Sequence, residues 1–95
     1  TQLVGLYLGA GRAAEALDLV EGLLREGKVT PVTHYNQACA LARLGRADEA
    51  FVALRRAVNA GYDNLRNLSA DPDLESLRGD ERYLEILDLA TERAE

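Results

Sequence analysis

The stretch Gly11-Arg12-Ala13-Ala14-Glu15-Ala16 recurs as Gly45-Arg46-Ala47-Asp48-Glu49-Ala50, with five of its six residues identical. The offset between the two copies, from Gly11 to Gly45, also pairs apolar residues further along, such as Val20 with Leu54. Similarity within one chain at a fixed period of this size is typical of repeat proteins, in which each unit packs against its neighbours. The sequence therefore predicts an array of similar structural units.

Glycines and short apolar stripes predict that each unit is a pair of helices. The glycine that opens each copy follows an apolar segment, as expected where a helix ends in a tight turn. After the first copy begins, Ala16, Val20 and Leu23 lie four and three residues apart, which places them on one side of a helix. Thr30 is a suitable N-cap for a helix whose first turn contains Pro31. We expect helices over residues 2–10, 12–26, 31–44 and 46–60, then a short one over 72–78 and a last one over 80–93.

The repeat resembles the tetratricopeptide repeat (TPR), a 34-residue helix-turn-helix unit with the pattern W-x2-L-G-x2-Y, A-x3-F and P. Small or large size is kept at the matching positions Ala38, Leu41, Ala50 and Leu54. Three other matching positions depart from the pattern, and they hold His34, Gln37 and Tyr62. The resemblance implies an all-α, α-hairpin solenoid fragment, and related half-a-TPR and Sel1-type repeats share the features that carry it.

The resemblance also implies how the chain is divided. Residues 1–27 form a first repeat that lacks its N-terminal part, residues 30–61 a second, and residues 62–95 a degenerate capping repeat. The last outer face of a solenoid has no neighbour and must be polar, which accounts for the weaker pattern there. The segment from Gly61 to Arg78 looks like the C-terminal cap of bacterial-type TPR arrays, so we expect the chain to be the end of a longer array or polypeptide.

Net charge, hydropathy and cysteine content limit the kinds of partner and compartment that we expect. A net charge of −5 argues against nucleic acid and against an anionic membrane surface, because both require a basic patch. No apolar run approaches the length of a membrane helix. Cys39 is the sole cysteine, which favours a reducing compartment, and we expect a cytoplasmic protein.

Residues that could carry chemistry are few, and we expect a protein that is not an enzyme and that holds no cofactor or metal. His34 and Cys39 lie five residues apart, so about 140° separates them around one helix and they point to different sides. One histidine and one cysteine cannot complete a zinc site. The acidic groups near Asp71 and Asp80 lack the spacing of an EF-hand loop, and we interpret them as helix caps and solvated residues.

The third helix offers a binding surface. In tetratricopeptide repeat proteins, the first helix of each repeat lines a concave groove that holds peptides. The resemblance therefore implies that the partner-binding residues here are Tyr35, Asn36, Cys39 and Arg43. Asn36 matches an asparagine that holds a peptide carboxylate in some members. The matching places in the first copy, Thr1 and Gly5, supply no cation, so we do not expect a complete carboxylate clamp.

The leading functional hypothesis is therefore a non-catalytic module that binds another protein or a peptide on its concave face. Two alternatives stay open at this stage. One is a C-terminal regulatory or structural appendage of a larger enzyme or signalling protein, and the other is a module for self-association into homo-oligomers.

Overall fold

Helix follows helix throughout the part of the chain that the computed structural model describes, residues 2–94. Thr1 and Glu95 lie outside it, as do the side chains of residues 2, 3 and 94. The α-helices are α1 (Gln2–Gly9), α2 (Ala13–Arg25), α3 (Pro31–Arg43), α4 (Ala47–Asn59), α5 (Leu65–Ala70) and α6 (Glu81–Ala94), and a 3₁₀ helix spans Pro72–Leu77. No strand occurs among these residues. The all-α class predicted from the sequence is confirmed.

The ends of the helices follow from the residues predicted to set them. Gly45 has a φ of 76°, a left-handed conformation that glycine adopts without steric cost. Its N–H donates to the Ala42 carbonyl at 3.1 Å, and the N–H of Arg46 donates to the Leu41 carbonyl at 2.9 Å. This pair of bonds is the Schellman motif, and it recurs in the first copy at Gly11, where φ is 75°. The predicted N-cap is also confirmed, because Thr30 Oγ1 accepts from the N–H of Thr33 at 3.1 Å.

The period seen in the sequence extends through the whole described chain. Helices α2, α4 and α6 begin at residues 13, 47 and 81, which are equally spaced. The segment occupied by α3, residues 31–43, has its counterpart at residues 65–77, where α5 and the 3₁₀ helix lie. The third unit thus keeps the spacing of the second, and its first helix is broken at Asp71-Pro72 because proline lacks an N–H and disfavours a helical conformation in the residue before it.

Small residues bring the helices close together. Ala38, Ala50 and Ala57 are fully buried, and α3 packs against α4 more extensively than any other pair of helices does. Larger residues fill the space further along, and those of the last unit that are almost completely buried are Leu68, Leu74, Leu77 and Ile86. One continuous core therefore runs from the first unit to the third.

Candidate functional site

The predicted binding residues lie along one side of α3, but the structure covers half of that side. Asn36, Cys39 and Arg43 are three and four residues apart, and Val32, which was not predicted, lies four residues before Asn36 on the same side of the helix. Val32 is 51% exposed and Asn36 is partly exposed, whereas Cys39 is 1% exposed. Tyr35, beside the stripe, is also buried. Val32 and Asn36 are therefore open to solvent, Tyr35 and Cys39 are covered, and Arg43 is exposed at the C-terminal end of the face.

Most of the cover is the chain's own residues 71–78, here called the capping segment, and Tyr62 covers the ring of Tyr35. The Tyr35 hydroxyl donates to Asp71 Oδ2 at 2.5 Å, and the Tyr35 ring stacks on Tyr62 with 4.2 Å between ring centres. Arg43 Nε donates to Asp73 Oδ1 at 2.7 Å. The Ser76 hydroxyl donates to the Ala42 carbonyl at 3.3 Å, which ties the far end of the segment to α3. Tyr35, Cys39 and Arg43 therefore hold the capping segment in this structure.

Burial keeps the polar groups beneath the capping segment neutral. Burial raises the pKa of the Cys39 thiol, and the carboxylates of Asp71 and Asp73 raise it further. The pKa of the Tyr35 hydroxyl is also raised, first by burial and then by its neighbours Cys39 and Asp71. A protonated thiol is a weak nucleophile and a weak metal ligand. The chemistry of this cluster suits hydrogen bonding between two segments of the chain.

Cys39, Asp71 and Asp73 bring three potential metal-ligand atoms within 4.8 Å of one another. The two carboxylates already have hydrogen-bond partners within the chain, however. Asp71 accepts from Tyr35 and, at 2.9 Å, from the N–H of Asp73, while Asp73 forms an ion pair with Arg43 at 2.6 Å. These bonds explain the cluster as the contact that docks the capping segment, and we do not assign it a metal.

Sequence reasoning identified Asp71 as a helix cap, and this prediction is confirmed by the bond from the Asp73 N–H. The interpretation of Asp73 as a solvated residue was incomplete, because its side chain is only 19% exposed and pairs with Arg43. A sequence signal for these contacts is weak, since 36 residues separate Tyr35 from Asp71 and 30 separate Arg43 from Asp73. His34, expected near the helix start, has its Nδ1 buried without a hydrogen-bond partner among the described residues.

Comparison with known proteins shows a partial similarity. The chain is 38% identical to a chloroplastic protein from Arabidopsis thaliana, over a 72-residue alignment that covers 72% of this chain and 21% of that protein. It thus spans about a fifth of the length of this relative. No family model and no solved structure matches the chain. The relative's name places that protein in the chloroplast, and the expectation of a cytoplasmic location stays a prediction.

None of the helices in the described part of the chain has the length and apolar character needed to cross a lipid bilayer.

Proposed function

We propose that this chain is a non-catalytic protein-interaction module built from three TPR-like helical units. The observation that carries the proposal is the constant spacing of α2, α4 and α6, which begin at residues 13, 47 and 81. Contacts in space support the same reading, because Arg82 bonds to Asp48 at 2.8 Å across a separation of 34 residues. Arrays of stacked helical pairs present extended faces to peptides and proteins, and such a face is the principal feature that this fold offers.

The partner binds at the open half of the inner face, around Val32 and Asn36, with Arg43 at the edge of the capping segment. An apolar side chain beside an amide suits an extended or helical peptide. Such a peptide would bury an apolar residue against Val32 and hydrogen-bond its backbone to Asn36. Tyr35 and Cys39, which the sequence placed in the same surface, become accessible to a partner only when the capping segment moves away. In the docked arrangement they support the surface from beneath.

The alternative, an appendage of a larger protein, is compatible with this proposal and draws support from a different observation. The relative is much longer than the matched segment, which makes up 21% of it. A binding module within a longer polypeptide would recruit a partner to whatever activity the rest of that polypeptide has.

The open inner face can be tested with two substitutions that leave the core intact. A photoreactive amino acid at position 36 captures the partner, and the affinity of the purified partner is then measured calorimetrically. We expect Val32→Asp combined with Asn36→Asp to weaken binding about tenfold or more, because apolar contact and the amide are both lost.

The matched control is Leu84→Asp combined with Thr91→Asp, which adds the same two charges at exposed positions on α6. This variant is expected to keep the affinity of the unsubstituted chain. Equal affinity in the Val32→Asp, Asn36→Asp variant, with unchanged helicity, would move the binding site away from the inner face.

A further inference from the structure

A second surface lies between α4 of the second unit and α6 of the third. It is a cleft of about 310 Å³, at the lower end of the range for ligand pockets. On α4 it is lined by Asp48, Val52, Arg55 and Asn59, which are four, three and four residues apart. That stripe extends for about 16 Å at the rise of an α-helix, the length of about three helical turns. The cleft is therefore long enough for one face of a helix to lie along it and place side chains in it.

The floor of this cleft is apolar. Phe51 and Ile86 form it from the two helices, and both are nearly completely buried. Val52 also lines the cleft, and 51% of this aliphatic residue is exposed to solvent. The Arg82 guanidinium lies 4.4 Å from the centre of the Phe51 ring and closes one end of the floor. An apolar side chain of a partner would cover Val52.

The rim of the cleft is more positive than the rest of the chain. Three arginines line it, against the two carboxylates of Asp48 and Glu85, whereas the net charge of the whole chain is −5. Arg82 is engaged with Asp80 and Asp48, both at 2.8 Å. Arg55 lies 3.6 Å from Glu85, and both side chains are more than half exposed, so this pair contributes little. Arg56 forms no ion pair within the described residues.

We propose that the α4/α6 cleft is a docking site for an acidic amphipathic helix of a partner protein. The apolar side of that helix covers Val52, and its carboxylates bond to Arg55 and Arg56. Complementary charge is the reason for an acidic partner, because these two arginines are available to pair with it while the rest of the surface repels it. A basic helix would meet these two arginines, and of the two carboxylates that line the cleft Asp48 is already paired with Arg82. This site is separate from the inner face of α3.

The test uses two synthetic peptides of about 16 residues, a length at which isolated helices become stable in water. Both carry leucines at helical spacing, and they differ in having glutamates or lysines beside the leucines. Each is titrated into the isotope-labelled chain while amide resonances are followed. We expect the glutamate peptide to shift the resonances of Val52, Arg55 and Arg56 and to bind about tenfold more tightly than the lysine peptide.

Exchange of the charges then separates specific docking from general attraction. In the Arg55→Glu, Arg56→Glu variant, the preference is expected to reverse in favour of the lysine peptide. The control with the same change in net charge is Arg25→Glu combined with Arg66→Glu, at two exposed arginines outside the cleft, and it keeps the original preference. The proposal is overturned if neither peptide shifts these resonances, if the shifts centre on Val32 and Asn36, or if the glutamate peptide binds the charge-exchanged variant equally well.

Discussion

At the scale of single residues, Arg82 joins three parts of the molecule. Its guanidinium bonds to Asp80 just before α6 and to Asp48 in α4, and it lies over the Phe51 ring. The pKa of Asp80 is lowered to about 2, mainly by the hydrogen bond from the Arg82 side chain and next by the bond from the Arg82 backbone N–H. A depressed carboxyl pKa means that ionised Asp80 stabilises the folded chain above pH 3.8, the ordinary value, and that this contribution is lost as the pH falls through about 2.

This gives a prediction for Arg82→Gln. We expect the pKa of Asp80 to rise from about 2 most of the way to 3.8, because the backbone bond persists while the guanidinium is lost. The measurement is the pH dependence of the Asp80 carboxyl carbon resonance. Arg25→Gln, in a different helix, should leave the pKa of Asp80 at its original value. An Asp80 pKa that is the same in both variants would show that the guanidinium has no role in the shift.

Single residues also show where sequence reasoning stops. The capping role of Asp71 depends on a bond to a residue two positions away, so a local pattern predicted it. Its bond to Tyr35 spans 36 residues and depends on how the third unit folds back onto α3. No local pattern contains that information. The sequence predicted that Tyr35, Asn36, Cys39 and Arg43 lie on α3, while the covering of Tyr35 and Cys39 could not be predicted.

At the scale of elements, glycine, proline and N-cap residues predicted most helix ends to within one or two positions. The exception is α5, Leu65–Ala70, which the sequence did not predict. Its N-cap is Asn64, whose side chain accepts from the N–H of Asn67 at 3.1 Å. A helix of six residues has too few apolar positions to display a period, and its stability comes from the burial of Leu68 in the core. The tertiary contact, rather than the local pattern, determines this element.

The packing of α4 gives a prediction for Ala50, which is completely buried. Ala50→Leu should lower the free energy of unfolding by about 1–3 kcal/mol, because three added heavy atoms have no space beside α3 and overpacking forces the helices apart. Urea denaturation followed by circular dichroism measures the change. The matched control is Ala14→Leu, at an exposed position in the first turn of α2. Identical urea midpoints for Ala50→Leu and the unsubstituted chain would contradict the placement of this close contact.

At the scale of the whole molecule, three units are too few to form an extended superhelix. The radius of gyration is 12.2 Å, close to the value of about 12 Å expected for a compact domain of this length. Contacts at a separation of 34 residues join the second and third units: Arg82 to Asp48, Arg93 to the Asn59 carbonyl and Ser76 to the Ala42 carbonyl. In sequence the pattern fades in the third unit, whereas in space these contacts keep the period of 34 residues.

The third unit packs on α3 through the capping segment and on α4 through α6, and Cys39 reports whether the contact with α3 persists. The thiol is 1% exposed beneath the capping segment, and its pKa is raised mainly by burial, so a disulfide reagent at pH 8 reaches it only when the segment opens. Leu74→Ala removes a fully buried side chain of the segment and should cost about 2–5 kcal/mol.

If opening of the capping segment is fast relative to labelling, the labelling rate follows the population of the open state. A cost of about 2 kcal/mol then raises that rate about thirtyfold. Leu84→Ala, at a leucine that is 63% exposed, is the control and leaves the rate unchanged. The labelling rate can rise through local opening of the capping segment or through global unfolding, and circular dichroism at the same temperature distinguishes the two. Retained helicity in Leu74→Ala indicates local opening of the capping segment, which is also the motion that would expose Tyr35 and Cys39 to a partner. A thiol in the unsubstituted chain that reacts as fast as in urea would show that the segment does not cover the inner face in solution.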